Sequence, residues 1–365
     1  MTAIDPKRAA RRRKMRLVAL GLALLPSMVA FEVGLRLFAP QTNPYAGISL
    51  FVPDPDPEIG SRLRPGLEAR VRSGTGEMEM VINSHGMRGP ERPKAKPPGV
   101  RRVLVLGDSF TCGAVPFEEG FPARLEALLG PGVEVLNAGV PGWATREQSA
   151  WFRRDGPGFG PDQVVVAFFV GNDLEENQRE KRLLVVGGEL VSGRGWFREL
   201  RNRSHAYRFI KALPERLSCA LAGESVGLRR YHELERDRLA VCARQGDPFA
   251  RGWEAARTGL AAIRDAAAPR RVVVLAIPDE VQVDRRLFDA VCARYGLDPA
   301  AYDLDLPQAR LAAICRELGL ELLDPLAEMR ERTARGEVLY IPDDSHWNGE
   351  GNAVAAAQLA EALRD

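Results

Sequence analysis

The chain has 365 residues, 45% of them hydrophobic and 27% charged, which is ordinary for a globular protein and excludes a largely disordered chain. Its 51 Lys and Arg residues nearly balance its 49 Asp and Glu residues, and the resulting net charge of +2 argues against a nucleic-acid-binding protein. Much of the positive charge is concentrated in residues 1–16.

The amino-terminal segment predicts a membrane anchor. Seven Lys and Arg residues lie between positions 7 and 16, and a charge-free, mostly apolar run follows from Leu17 to Phe31. A helix over Leu17–Ala39 would be about 35 Å long at about 1.5 Å per residue, which is enough to cross a bilayer. Because cationic flanks stay on the cytoplasmic side, residues 1–40 are expected to be a basic tail and anchor, with the rest exported. A cleaved signal peptide is the alternative, although the segment lacks a good small-x-small cleavage site.

Residues 41–100 predict a tether rather than a separate domain. They are rich in Pro, Gly and charge, with extended pieces near residues 67–72 and 77–83 that are expected to add edge strands to the following domain. Residues 83–89, Asn-Ser-His-Gly-Met-Arg-Gly, predict a tight polar turn. We expect this turn to dock the tether onto the catalytic domain.

From Arg101 onward, apolar strands alternate with helices. The predicted strands are Val103–Leu106, Glu134–Asn137, Val164–Val170, Val272–Ile277 and Leu320–Leu323. The predicted helices are Phe121–Leu129, Thr145 through Phe152, Trp253–Ala267, Arg285–Tyr295, Gln308–Leu318 and Ala353–Leu363. An insertion at about 174–250, which includes a predicted hairpin over Leu183–Ser192 turning at Gly187-Gly188, interrupts the alternation. Residues 101–365 therefore predict one α/β domain, a three-layer α/β/α sandwich around a five-stranded parallel sheet.

Five cysteines are an odd number for a chain that is expected to be exported: Cys112, Cys219, Cys242, Cys292 and Cys315. Cys219 with Cys242, and Cys292 with Cys315, could form disulfides, but the sequence does not define the connectivity, and buried free thiols are at least as good an alternative. The Cys and His spacings predict no metal site, and we expect no cofactor.

The ends of the predicted strands carry the residue types that acyl transfer needs. Ser109 follows the first strand at a helix start, on the sheet edge where open α/β folds bind ligands. A serine hydroxyl needs a base to become a good nucleophile, and His346 is the best of four histidines because Asp343, three residues earlier, can orient it. The backbone N–H groups of Ser109 and Gly139 and the side-chain amide of Asn172 could stabilise the developing oxyanion.

These residues resemble the sequence blocks of the SGNH, or GDSL-type, hydrolase superfamily. The blocks are Gly107-Asp108-Ser109-Phe110, Gly139 in Asn137-Ala138-Gly139, Gly171-Asn172-Asp173 and Asp343-x-x-His346. The resemblance covers about Arg101 to the carboxyl terminus and implies a flavodoxin-like sheet in the order 2-1-3-4-5. It implies that Ser109 is the nucleophile, that Asp343 and His346 complete a triad, and that Gly139 and Asn172 form the oxyanion hole.

The same resemblance implies hydrolysis or transfer of an ester-linked acyl group, often a small one on carbohydrate. The predicted anchor and the Asp-Ser-His-Trp-Asn ending are similar to exported members that act on cell-envelope glycans, including an alginate O-acetyltransferase-like branch. The expected partners are thus an acylated carbohydrate or lipid ester and, through the amino-terminal helix, a membrane. The insertion at 174–250 departs from the minimal family core and leaves the substrate and acceptor open.

Several competing interpretations remain. Ser225 lies in a Gly-x-Ser-x-Gly pattern, but no buried strand precedes it, so a turn between helices is the better prediction. Asp108 and Asp173 are expected to cap backbone turns rather than act as an acid and base pair, and Cys112 is expected to be a packed residue. Trp143 and Trp347 are equally compatible with a sugar platform and with the core. The alternative to an enzyme is a non-catalytic envelope glycan-binding or assembly protein of the same fold.

Overall fold

The computed structural model describes residues 6–39, 48–73, 76–179, 183–186, 188–192 and 204–364. The chain divides into two compact units, one formed by residues 1–43 and 194–226 and the other by residues 44–193 and 227–365. Residues 41–47 of the predicted tether and Gly187 of the predicted hairpin turn lie outside the described residues.

Eleven strands and thirteen α-helices occur in the described residues. The strands are Phe51–Pro53 (β1), Ser61–Leu63 (β2), Glu68–Ser73 (β3), Gly76–Val81 (β4), Arg101–Gly107 (β5), Val133–Gly139 (β6), Gln163–Phe169 (β7), Leu183–Val186 (β8), Glu189–Ser192 (β9), Arg271–Ile277 (β10) and Glu321–Leu323 (β11). The helices are Pro6–Phe38 (α1), Ser109–Cys112 (α2), Phe121–Leu129 (α3), Thr145–Asp155 (α4), Asp173–Gln178 (α5), His205–Ala222 (α6), Val226–Arg238 (α7), Ala250–Ala267 (α8), Glu280–Val283 (α9), Arg285–Tyr295 (α10), Leu306–Leu318 (α11), Leu326–Ala334 (α12) and Gly349–Leu363 (α13).

Five strands form one parallel sheet in the order β11-β10-β7-β5-β6. Read from the other edge, this is the flavodoxin-like order 2-1-3-4-5. The register aligns Gly107 with Gly139 at the carboxyl ends of β5 and β6, and Ile277 with Phe169 at the ends of β10 and β7. The predicted fold class is therefore confirmed, and the strand ends that carry Ser109, Gly139 and Asn172 share one edge of the sheet.

The sheet is covered on both faces because successive residues of its strands point to opposite sides. Leu104 and Leu106 of β5 pack into one core, with the buried faces of α4, α8 and α11. Val103 and Val105 pack into the other core, with α3, α12 and α13. Burial on both faces explains why these strands are continuous apolar runs in the sequence.

The segment before β5 packs on the domain without extending its sheet. The extended pieces expected near residues 67–72 and 77–83 form β3 and β4, but β1 pairs with β2 and β3 with β4 in two separate antiparallel sheets. Its apolar residues, including Leu63 and Met80, join the core that contains Leu104. Side-chain burial, rather than backbone pairing, attaches it to the domain.

The long helix α1 coincides with the predicted anchor. Within the part of the chain that the structure describes, none of the helices combines the length and the apolar character that a membrane crossing needs, so the predicted spanning segment is not supported. Export of the domain stays a prediction.

All five cysteines are buried free thiols, which is the second of the two alternatives that their spacing left open.

Candidate active site

Ser109 is delivered to the sheet edge by an abrupt change from strand to helix. Strand β5 ends at Gly107 and α2 begins at Ser109, with Asp108 as the residue that caps the helix. The Asp108 Oδ1 atom accepts the Phe110 N–H at 2.9 Å. A side chain at Gly107 would collide with the side chain of Thr111 in α2, so this close approach requires glycine at the end of β5. The turn leaves Ser109 half-buried at the carboxyl end of β5, which lies between β7 and β6 in the sheet.

His346 contacts Ser109 across 237 positions of sequence. Its Nε2 atom lies 2.8 Å from Ser109 Oγ, and its Nδ1 atom lies 2.6 Å from Asp344 Oδ1. Because an ionised carboxylate only accepts hydrogen bonds, Nδ1 carries the proton and Nε2 is left to accept from the serine hydroxyl. The three side chains therefore form a continuous hydrogen-bonded chain (the relay), in which His346 is placed to act as a general base for Ser109.

The relay acid is not the one predicted from the sequence. Asp343 is exposed and occupies the left-handed region, with φ of 55°, whereas the neighbouring Asp344 is half-buried and contacts His346. The Asp344 N–H donates to the Ile341 carbonyl at 3.0 Å, and the Ile341 N–H donates to the His346 carbonyl at 2.9 Å. This closed loop sends the Asp343 side chain outward and turns Asp344 toward the imidazole, so the expectation that Asp343 orients His346 is wrong in this structure.

The contacts of Asp344 stabilise its ionised form. Burial acts to raise the pKa of the Asp344 carboxyl. The opposing effects are larger and lower the pKa: hydrogen bonds from His346, the charge of His346 and the charge of Arg238. Asp344 Oδ1 also accepts the backbone N–H of His346 at 3.1 Å, so the same oxygen defines both the backbone turn and the ring orientation. Aspartate often accepts the N–H two residues later, and this was the available sequence signal for Asp344.

Gly139 lies beside Ser109 but its N–H is already used. The N–H donates to Asn137 Oδ1 at 3.0 Å. A side chain at Gly139 would collide with the backbone of Cys112 and with Thr111, so glycine at this position lets α2 pack against β6. Packing accounts for this glycine, and its predicted role as an oxyanion donor stays a prediction.

Asn172 has a side-chain amide that the fold does not use. It caps α5 by position, but its side chain makes no capping hydrogen bond, and its Oδ1 atom is buried without a partner in the described residues. Buried polar atoms are nearly always satisfied, so such an atom requires an explanation. This oxygen is an acceptor, whereas only the Nδ2 group could donate to an oxyanion, so the predicted role of Asn172 stays a prediction.

The comparison with protein families identifies the family to which this fold belongs. The model of the GDSL-like lipase/acylhydrolase family matches residues 105–354, which include Ser109, Gly139, Asn172 and His346. The chain belongs to the GDSL-like lipase/acylhydrolase family. Its fold and its esterase or acylhydrolase class follow from this membership.

Solved structures with a similar fold include two esterases. A catalytic mutant of an acetylxylan esterase from Geobacillus stearothermophilus has 14% identity and a TM-score of 0.39, covering 72% of this chain and 93% of that one. A carbohydrate acetylesterase from Sinorhizobium meliloti has 12% identity and a TM-score of 0.37, covering 72% and 98%. The search of curated proteins returned no match.

The insertion contributes a largely buried arginine, Arg238, to the GDSL domain. Arg238, the last residue of α7, has Nη1 3.3 Å from Glu235 Oε1 and 3.6 Å from Asp279 Oδ2. Its guanidinium lies 4.9 Å from the centre of the Phe169 ring, and that ring packs on Phe110 with centroids 4.4 Å apart. Arg238 was not recognised in the sequence, because no local motif links a polar helix of an insertion to the site.

Other predictions about the GDSL site are confirmed by the packing. Asp108 and Asp173 are fully buried, and both accept backbone N–H groups as turn caps. Burial raises the pKa of both carboxyls. Burial also raises the pKa of the Cys112 thiol to about 11, as for a packed residue.

Both tryptophans near the site belong to the core. Trp143 is 2% exposed and its indole N–H donates to the Ser61 carbonyl at 2.8 Å, and Trp347 is 1% exposed. Neither presents a face for a sugar.

Ser225 follows α6 and its left-handed cap at Gly223, so its glycine-flanked pattern is a turn between helices as expected.

A cavity in the described part of the chain lies away from Ser109, His346 and Asp344. It has a volume of about 690 Å³, and its lining includes Gln282, Phe288, Tyr302, Asp303 and Arg330 but none of the triad residues. We place the active site at Ser109 because acyl transfer requires a nucleophile in contact with a base, and cavity volume alone does not supply one.

Arg88, in the predicted docking turn, supports the helix that carries Ser109. It is buried, and Nη1 donates to the carbonyls of Cys112 (2.7 Å) and Gly113 (2.8 Å) while Nη2 donates to that of Val115 (2.8 Å). The expected docking of residues 83–89 on the domain is confirmed by these contacts. One side chain thereby satisfies three carbonyl groups at and after the end of α2.

We expect Arg88→Met to lower the free energy of unfolding by about 2–4 kcal/mol, because three carbonyls lose a charged donor in a buried position. It should also lower kcat by about tenfold with little change in KM, since a small displacement of α2 misplaces the nucleophile without removing a substrate contact. Arg70→Met is the matched control, because Arg70 is exposed and its partner Glu79 is 4.0 Å away. Equal effects of the two variants on denaturant unfolding and on kcat would contradict this role.

Proposed function

We propose that this chain hydrolyses carboxylic esters through a covalent acyl-enzyme at Ser109. The observation that carries the proposal is the continuous contact of Ser109 Oγ, His346 and Asp344, at 2.8 and 2.6 Å. A hydroxyl, an oriented imidazole and an ionised carboxylate at the carboxyl edge of a parallel sheet are the groups that acyl transfer needs. A glycan-binding protein of the same fold would not require this relay.

The proposed reaction has two half-reactions. Ser109 Oγ attacks the ester carbonyl while its proton passes to His346 Nε2, and the tetrahedral intermediate collapses as the leaving alkoxide takes that proton. Water then attacks the acyl-serine, gives a proton to His346, and releases the carboxylic acid when the proton returns to Ser109. Asp344 holds the Nδ1–H tautomer throughout and stabilises the imidazolium. Asn172 and the Ser109 N–H are the proposed donors to the oxyanion, joined by Gly139 if its N–H is released by Asn137.

We further propose that the acyl group is short and that its carrier is a carbohydrate. The motif resemblance implies this class; of the two similar solved structures, one is named an acetylxylan esterase and the other a carbohydrate acetylesterase. A sugar hydroxyl could replace water in the second half-reaction, because hydrolase and O-acyltransferase share the first one. A lipid ester is the alternative substrate, since the same first half-reaction would accept it.

Labelling with a fluorophosphonate tests the mechanism directly. The reagent should modify wild-type protein at Ser109, as located by mass spectrometry, because only an activated serine reacts. Labelling at Ser225 or at no serine would contradict the proposal and favour a non-catalytic binding protein.

Acetate release from acetylated xylooligosaccharides, measured with and without an unacetylated polysaccharide, then separates hydrolase from transferase. Free acetate in both cases identifies a hydrolase, whereas acetyl transfer to the polysaccharide identifies a transferase.

A further inference from the structure

Exposed large apolar side chains are concentrated on two helices of one compact unit. Of seventeen such side chains in the described residues, thirteen lie on α1 and α6. Those on α6 are Tyr207, Ile210, Leu213, Leu217 and Leu221, and those on α1 are Met15, Leu24, Met28, Val29, Phe31, Val33, Leu37 and Phe38. Isolated exposed apolar residues are normal, but a concentration of this kind marks an interaction surface.

The apolar residues of α6 form one continuous face. They recur every three or four positions from 207 to 221, which places them in a single stripe along a helix of 3.6 residues per turn. Leu221 is 91% exposed, Ile210 59% and Leu217 57%, so the described residues leave this stripe largely uncovered. The basic residues Arg208 and Lys211 lie outside the stripe. Helix α6 is therefore amphipathic, with its apolar face turned to the surroundings.

Helix α6 is attached to α1 by specific contacts. The carboxylate of Glu32 accepts hydrogen bonds from Ser204 Oγ (3.0 Å) and from the N–H groups of His205 (3.0 Å) and Ala206 (2.7 Å). The rings of Phe31 and Phe209 meet edge to face with centroids 5.8 Å apart. A carboxylate at the first turn of a helix also complements the helix dipole. The two helices thus form one defined pair.

The charge of this unit identifies the kind of partner. Residues 1–43 and 194–226 contain fifteen Lys and Arg residues against five Asp and Glu residues, a formal charge of +10. The rest of the chain therefore carries −8, because the whole chain is +2. An apolar face in a strongly cationic unit complements a bilayer with anionic headgroups. A second copy would bring a like charge of +10 to the same surface, which disfavours self-association through it.

We propose that α1 and α6 together form a lipid-binding surface, in which the apolar face of α6 enters the boundary between headgroups and acyl chains of an anionic bilayer. The cations of the unit then lie at the level of the phosphate groups. This proposal is independent of the esterase mechanism, because it uses none of the triad residues. It assigns to part of the insertion at 174–250 a role in placing the enzyme at a membrane surface.

A fluorescent reporter on α6 tests the proposal in the full-length chain. Leu217→Cys, labelled with an environment-sensitive NBD group, is diluted from mild detergent into vesicles of phosphatidylcholine with or without phosphatidylglycerol. The five native cysteines are buried, so the label enters the introduced thiol. Val338→Cys is the matched control, since Val338 is 61% exposed and lies in the other unit. We expect a blue shift and a several-fold rise in emission at position 217 with the anionic vesicles, quenching by brominated lipid tails, and no change at position 338.

Two outcomes would overturn the proposal. The first is unchanged emission at position 217 while co-sedimentation shows that the protein is bound to the vesicles, because α6 would then lie outside the lipid. The second is emission that is already blue-shifted without vesicles in a protein that light scattering shows to be dimeric, because a second copy would then cover the face. Hydrolysis of a soluble ester, measured on the same samples, reports the proposed function separately.

Discussion

Asp344→Asn should reduce kcat for ester hydrolysis by about 10⁴-fold, whereas Asp343→Asn should change it by no more than a few-fold. The physical reason is the direction of one hydrogen bond. His346 Nδ1 lies 2.6 Å from Asp344 Oδ1, and a carboxylate there holds the proton on Nδ1 so that Nε2 can accept from Ser109. An amide can present its NH₂ group instead, which stabilises the wrong tautomer and leaves the serine without a base.

This pair of variants is well matched. Both are isosteric, the residues are adjacent, and both carboxylates are at least partly exposed, so neither change should unfold the protein. Steady-state hydrolysis of 4-nitrophenyl acetate measures kcat, and circular dichroism checks the fold. The reverse order of effects would show that Asp343, as the Asp-x-x-His spacing implied, is the acid during catalysis. Because the folded-state pKa of Asp344 is lowered, its contribution to stability should be present above the ordinary aspartate pKa and lost as the pH falls through the lowered value.

Ser109→Ala should reduce acyl release by about 10⁵ to 10⁶-fold, which leaves only the residual catalysis that substrate binding and the oxyanion donors supply. Removing the hydroxyl eliminates the atom that forms the acyl-enzyme, while the half-buried position of Ser109 means that the fold loses little. The KM of the variant, measured on its slow residual turnover, should stay close to that of the wild type. The change removes a reacting atom rather than a binding contact.

Ser225→Ala is the control for this experiment. Ser225 lies in a glycine-flanked turn between α6 and α7, and its loss should leave kcat and KM unchanged. Labelling by the fluorophosphonate should also persist in this variant and be absent from Ser109→Ala. Full activity of Ser109→Ala together with inactivity of Ser225→Ala would refute the proposed mechanism.

Local sequence patterns were sufficient to predict the architecture of the domain. Runs such as Val164–Val170 predicted strands buried on both faces, and this run contains most of β7 in the middle of the sheet. Helix and strand formation depend on burial patterns that repeat over a few residues, so a single sequence records them. The order of the strands then followed the resemblance of four short blocks to the GDSL-type superfamily. In the tether, the extended pieces near residues 67–72 and 77–83 predicted β3 and β4, but they did not reveal with which strand each one pairs.

The sequence also selected the candidate nucleophile and base, Ser109 and His346, from residue type and position alone. It placed Ser109 after a buried strand and selected His346 by its acidic neighbourhood, and the structure brings the two within 2.8 Å. The parallel arrangement explains this success, because any residue that follows a strand at its carboxyl end is delivered to the same edge of the sheet.

The tertiary structure decided which side chains actually meet at that edge. The left-handed conformation of Asp343 turns the neighbouring Asp344 toward His346, and Asn137 occupies the N–H of Gly139. Arg88 and Arg238 reach the site region from a turn and from an insertion that carry no motif of their own. Spacing along the chain determines which residues arrive at a strand end, but hydrogen bonds depend on backbone dihedral angles and on neighbours that are distant in sequence. For this reason the fold and the candidate pair Ser109 and His346 were determined by the sequence by itself, whereas the carboxylate that contacts His346 and the residues that hold it in place were decided only by the folded chain.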